Sequence, residues 1–125
     1  MTLTVEQAIR NRRTTKAAAM NGKKIPDEQI TELLELARWA PNHGRTEPWQ
    51  FIVYSGDALQ NFARDHARLY WENTPEDKRL ESTRDRLEAG MQTVSHLIIA
   101  IMKRGGNPKI PVFEEIAAAS AAVQN

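Results

Sequence analysis

The sequence reads as one domain, or part of one, that mixes helices with a few strands. Three observations carry that reading. Apolar residues recur at helical spacing around Ile30, Leu33, Leu34 and Ala37 and again around Leu59, Phe62 and Ala63. Two short runs, 49–54 and 97–102, have the aromatic and β-branched density of strands. A length of 125 residues suffices for one core and not for two.

Each element has its own local reason. Thr4 and Gln7 stand three apart at the first apolar face, so hydroxyl and amide can cap a helix start reciprocally. Val5, Ala8 and Ile9 then share a face, predicting a short helix to about Arg13. Glycine and proline predict a loop over 20–26. Asp27 is placed to cap the next helix, which buries Ile30, Leu33, Leu34, Ala37 and Ala40 and is ended by Pro41. The strand at 49–54 is bounded by Pro48 and by Ser55-Gly56-Asp57.

A helix over about 58–72 turns Leu59, Phe62, Ala63 and Leu69 inward. Thr74-Pro75-Glu76-Asp77 offers a hydroxyl cap, a proline at the first position and acids against the dipole. It predicts a charged helix to about Met91, anchored by little beyond Leu80, Leu87 and Met91 and most simply read as a solvated face. The continuous apolar run 97–102 predicts a strand buried on both faces. A turn follows at 104–108, then an alanine-rich helix over 112–125. That helix stops without a cap, which reads as a fragment of a longer chain.

Composition narrows the function classes. Apolar residues make up 41% and charged residues 26%, as in ordinary globular proteins. There is no cysteine, so disulfides and thiolate metal sites are excluded. No stretch reaches the length of a membrane span, and the start of the chain lacks a signal pattern, so the expected location is the cytoplasm. A net charge of +1 argues against nucleic acid as a partner and makes any anion affinity local.

Two segments carry candidate chemistry. Arg10, Arg12, Arg13, Lys16, Lys23 and Lys24 cluster after the first helix, with Thr14 among them. Paired guanidinium groups and a hydroxyl can hold a phosphate, or the same cations can simply offset a helix dipole. The second segment, Pro41-Asn42-His43-Gly44-Arg45-Thr46-Glu47-Pro48, is a polar loop pinned between a helix and a strand, where binding residues concentrate. Together they point to a phosphate-bearing cofactor with a planar group. No second histidine or carboxylate stands at ligand spacing around His43, so no metal site is expected. Glu47 can accept from a ring N–H or stand idle, and Trp49 is expected in the core. His66 and His96 read as packing or surface histidines, and Glu114-Glu115 as dipole compensation in a first turn.

Asn11-Arg12-Arg13-Thr14-Thr15-Lys16 resembles the N-terminal Arg-x-Ser/Thr-x-Lys/Arg motif of the nitroreductase family of flavoproteins. Ala40-Pro41-Asn42-His43-Gly44-Arg45-Thr46-Glu47-Pro48-Trp49-Gln50-Phe51 resembles that family's Ala-Pro-Ser/Asn-x-x-x-x-Gln/Glu-Pro-Trp-x-Phe stretch, and the order of elements fits. The resemblance implies an α+β fold, a central mixed sheet flanked by helices, in an intertwined, domain-swapped homodimer with FMN at each interface. It implies ping-pong chemistry in which NAD(P)H reduces the flavin and a nitroaromatic, quinone or similar acceptor is then reduced. Carried over by position, Arg12, Arg13 and Thr14 hold the phosphate and ribityl end, and Lys16 lies toward the pyrimidine side. His43 and Glu47 approach from the partner subunit, and no side chain is needed as a catalytic acid or base.

This sequence departs from the family pattern in two ways. Glu47 stands where Gln is common, which replaces an amide donor by an acceptor. Family members also continue beyond residue 125 with further phosphate contacts, strands and a dimer-wrapping tail, so the single domain expected over 1–125 is incomplete at its C-terminal side. Two alternatives remain: a non-reductive flavoenzyme on the same fold, or a small basic module that binds an anionic partner.

Overall fold

The computed structural model of the chain describes residues 3–125. Five α-helices and two strands follow in the order α1 (Val5–Asn11), α2 (Asp27–Ala37), β1 (Trp49–Ser55), α3 (Gly56–Asn73), α4 (Glu81–Ala89), β2 (His96–Met102) and α5 (Val112–Gln124). Single 3-10 turns lie at Ala17–Ala19, His43–Arg45 and Glu76–Lys78.

β1 and β2 pair antiparallel, from Trp49 opposite Met102 to Ser55 opposite His96. Lys103 N–H donates to Pro48 O at 3.0 Å and carries the ladder one step further. Among the described residues the sheet has these two strands and no parallel pair, so the mixed sheet expected above is not assembled here. Two strands alone are marginal in water, and helices complete the layer: α3 and α5 both pack on β1 and β2. The fold is thus α+β with a small sheet.

Small residues let the helices come close. Ala37 at the end of α2, Ala40 three residues beyond it and Ala122 of α5 are buried together, with Trp49, Phe51 and Ala121 packed against them. Trp49 therefore belongs to the core, as expected. On α3, Leu59, Ala63 and Ala67 are buried, and Phe62 stacks obliquely between Tyr54 and His66. Leu69 is exposed instead of inward, because Ala67 holds the buried position in that turn. Leu33 is exposed as well, on the side of α2 that nothing covers.

Three further expectations change. The reciprocal cap by Thr4 and Gln7 forms as expected, but α1 ends at Asn11 and buries none of its residues. Pro26 rather than Asp27 precedes α2 as its cap. The Asp27 carboxylate instead meets His96 Nε2 at 2.8 Å, while His96 Nδ1 lies 2.9 Å from the Ser95 hydroxyl. The helix start at Thr74 becomes one 3-10 turn, and α4 begins only at Glu81. Its residues are held back by α3: Thr74 Oγ1 donates to Tyr70 O, Leu80 N–H donates to the Tyr70 hydroxyl, and Arg79 and Arg84 lie over the Trp71 ring. β2 is half-exposed along its length rather than buried on both faces, since few layers cover a two-stranded sheet.

Leu59, with no exposed surface, is the test of this packing. Leu59→Ala should cost about 2–5 kcal/mol in urea unfolding, whereas exposed Leu33→Ala should stay within about 0.5 kcal/mol.

Candidate functional site

The loop from α2 to β1 holds three residues in left-handed backbone. Gly44, Arg45 and Glu47 have φ of 63°, 54° and 42°, the left-handed region that non-glycine residues avoid. Such residues cost on the order of 1 kcal/mol each and persist where their surroundings over-determine them. Here Asn42 Oδ1 accepts from Glu47 N–H at 3.1 Å, and Trp49 N–H donates to Glu47 O at 2.8 Å. Thr46 Oγ1 donates to His43 O at 3.3 Å. Pro48 is fully buried below. A Cβ on Gly44 would lie 2.9 Å from Ile110 Cδ1, so a side chain here would have to displace the tip of Ile110, and its φ favours glycine.

Two adjacent carboxylates at the start of α5 fasten this loop. Glu115 is 1% exposed. Its Oε1 accepts from Gly105 N–H at 2.9 Å, and its Oε2 lies 2.8 Å from Arg104 Nη1, close in charge but off the line of the N–H bonds. A Cβ on Gly105 would meet Glu115 Oε1 at 2.8 Å and Thr46 Cγ2 at 2.9 Å. The 104–105 turn, the 43–46 loop and α5 therefore interlock around one buried carboxylate. Glu114 does something different: its Oε2 lies 2.6 Å from His43 Nδ1. Both acids stand in the first turn of α5 as expected, and each has in addition a partner far along the chain. Their partners stand 10 and 71 positions away, beyond any local motif.

That pair stands at the rim of an open groove of about 460 Å³, lined by Pro41, His43, Phe113, Ala117 and Ala121 among others. Phe113 is 69% exposed there. A histidine tied to a carboxylate by Nδ1 presents Nε2 outward, in a fixed tautomer when neutral.

The basic segment lies elsewhere. Arg13 Nη1 donates to Arg10 O and Arg12 O, both at 2.8 Å, so part of this guanidinium is spent on the end of α1. Arg12, Thr14 and Lys16 are exposed, and among the described residues their side chains have no hydrogen-bond partner. Beyond Lys16 the chain is stitched to the entrance of β2. Thr93 Oγ1 donates to Ala17 O at 2.8 Å, Gly22 N–H donates to Thr93 O at 3.1 Å, and Ile25 N–H donates to Ser95 Oγ at 2.7 Å. Lys24 Nζ reaches Val94 O at 3.4 Å. The His43 loop, by contrast, leads into Trp49, opposite Met102 at the exit of β2. At roughly 3.3 Å per residue, Lys16 and His43 lie at opposite ends of a strand pair about 20 Å long. One copy of the chain brings His43 to Glu114 and does not bring either to Lys16. Glu47, exposed, points no hydrogen bond of its own side chain at a neighbour among the described residues.

A family model described as "Nitroreductase family" matches residues 9–125. The chain is similar to a putative NAD(P)H nitroreductase, YfhC, of Bacillus subtilis (strain 168), 41% identical over 49 residues, which are 39% of this chain and 24% of that protein. It is similar to a chloronitrobenzene nitroreductase of Comamonas testosteroni, 26% identical over 66 residues, 53% of this chain and 28% of that one. The crystal structure of a nitroreductase-like family protein from Bacillus cereus superposes with a TM-score of 0.80 at 24% identity, over 99% of this chain and 62% of that one. The chain thus spans less than two thirds of each relative.

The two carboxylates of α5 should separate in stability. Glu115→Ala leaves Gly105 N–H without its acceptor and removes the carboxylate beside Arg104, and should cost about 2–4 kcal/mol. Glu114→Ala, which breaks a half-exposed contact, should cost less than about 1 kcal/mol. Urea midpoints at constant slope measure both.

Proposed function

The chain belongs to the nitroreductase family, and we propose that it is an FMN-dependent NAD(P)H oxidoreductase that reduces nitroaromatics, quinones or similar acceptors as a homodimer. The observation that carries the reading is the separation just described. The chain beyond Lys16 is stitched to one end of the strand pair and the His43 loop leads into the other, which supports a flavin held between two copies.

The donor set fits the cofactor. Arg12, Thr14 and Lys16 have unspent donors in open solvent, and Arg13 keeps Nε and Nη2 free of the helix carbonyls. A phosphate dianion matches two guanidinium groups and a hydroxyl, and Lys16 places a cation where a flavin ring becomes anionic on reduction. His43 and Glu47 approach from the partner copy, on a loop tied down by hydrogen bonds from Glu47 N–H to Asn42 and from Thr46 to His43 O. Bound FMN supplies the two-electron chemistry between nicotinamide and acceptor. The chain's own residues bind, orient and shelter it.

The purified protein should take up FMN and turn yellow, bleach on addition of NADH or NADPH, and recover colour with a quinone or nitroaromatic. A colourless protein that takes up no FMN overturns the reading. Arg12→Ala and Lys16→Ala should each weaken FMN binding by about tenfold or more, the scale of a hydrogen bond to a charged group, as read by fluorescence quenching.

A further inference from the structure

We propose that Thr93, just before β2, is the positioning residue for Lys16: it clamps the turn that Lys16 opens and so fixes where that cation stands toward a flavin. The inference rests on the oxidoreductase reading and adds to it a residue remote in sequence from the basic segment.

Packing does little to hold the basic segment. α1 buries none of its residues, so among the described residues no core contact restrains the segment from upstream. Downstream, residues 17–25 bury no side chain either, and Met20 and Ile25 are 40% and 42% exposed. A cavity of about 300 Å³ is shared by this loop and the strand entrance, with Ala19, Met20, Ile25, Thr93 and Ser95 in its lining. Hydrogen bonds therefore decide where the loop stands.

Those bonds converge on 93–96. Lys16 precedes the 3-10 turn Ala17–Ala19, and its carbonyl accepts from Ala19 N–H at 2.9 Å. The next carbonyl, that of Ala17, accepts from Met20 N–H at 3.0 Å and from the Thr93 hydroxyl at 2.8 Å. The Thr93 carbonyl accepts in turn from Gly22 N–H at 3.1 Å, where φ is 73°. One residue thus grips the loop at both 17 and 22. Ser95 repeats the grip farther on: its Oγ accepts from Ile25 N–H at 2.7 Å and lies 2.9 Å from His96 Nδ1, while His96 Nε2 meets Asp27 at 2.8 Å.

The bond to Ala17 is the one that bears on Lys16. Holding the Ala17 carbonyl fixes one peptide plane in the turn and leaves Lys16, at its mouth, few directions to take. A cation already in its working position binds without first being ordered. The apparent dissociation constant rises in proportion as that position is less often populated.

The test compares Thr93→Val with Thr93→Ser and with Thr74→Val. The first removes the hydroxyl at nearly constant shape and the second keeps it. The third deletes a hydroxyl-to-carbonyl bond of the same kind, from Thr74 to Tyr70 of α3. Thr93→Val should weaken FMN binding about threefold to tenfold, the scale of one neutral hydrogen bond, as read by quenching of flavin fluorescence. Thr93→Ser and Thr74→Val should bind as the parent does. In the Lys16→Ala background the Thr93→Val loss should shrink to less than about twofold, because the side chain it positions is gone. In the protein without flavin, exchange of the Met20 and Gly22 amide hydrogens should quicken in Thr93→Val. The proposal is overturned by unchanged affinity or unchanged exchange in Thr93→Val, by the same loss with Lys16 present or absent, or by an equal loss in Thr93→Ser or Thr74→Val. A parent protein that takes up no FMN removes the flavin reading and this inference together, whereas normal uptake that Thr93→Val leaves untouched removes this inference alone.

Discussion

One buried carboxylate organises the functional end of this molecule. Taking Glu115 out of water is costly unless other groups replace the lost hydration: Gly105 N–H donates to one carboxylate oxygen, and the positive charge of Arg104 lies 2.8 Å from the other. Meeting that demand fixes the turn at 104–105 against the first turn of α5. Because Gly105 touches Thr46, it also fixes the height of the 43–47 loop. The left-handed backbone at Arg45 and Glu47 is tolerable only in such a frame. His43 inherits its position from this chain of constraints, and Glu114, the next residue along α5, then sets the rotation of its ring.

Elements with local causes were legible in the sequence. Thr4 and Gln7 cap α1, Pro41 follows the end of α2, and both strands fall where their apolar density placed them. The departures have long-range causes. Asp27 looked like a cap, but His96, 69 residues away, takes its carboxylate. Thr74-Pro75 had every local mark of a helix start, yet Tyr70 and Trp71 of α3 draw Thr74, Leu80, Arg79 and Arg84 into a different path. Leu33 and Leu69 sit at the right period for burial and lack a covering partner in one copy.

The candidate site divides in the same way. Residue types in 12–16 and 42–47 could be read from the chain, because cations near hydroxyls and a histidine in a pinned loop are local patterns. The distance between those segments could not, since it depends on how β1 and β2 register. Nor could the service that α5 performs. Glu114 and Glu115 are adjacent and chemically identical, yet one is exposed enough to steer a ring and the other is sealed into a structural pair.

On the dimeric reading, exposure explains why two copies are needed. Arg12, Thr14 and Lys16 stand in open solvent, where a contact between charged groups is worth at most about 1 kcal/mol and salt screens it within about 8 Å. A phosphate held there alone would be lost at physiological ionic strength. Covering the site with another surface lowers the local dielectric and strengthens the same contacts. A two-fold related copy does this economically, because in a symmetric pair the surface that meets its partner at one point is met by it at the equivalent point. If the Lys16 end of one strand pair faces the His43 end of the other, the reverse holds as well, and two equal sites form. The exposed apolar side chains Leu33, Leu36 and Trp39 on α2 and Phe113, Ile116 and Val123 on α5 offer the area such an association would bury, far more than isolated surface residues need.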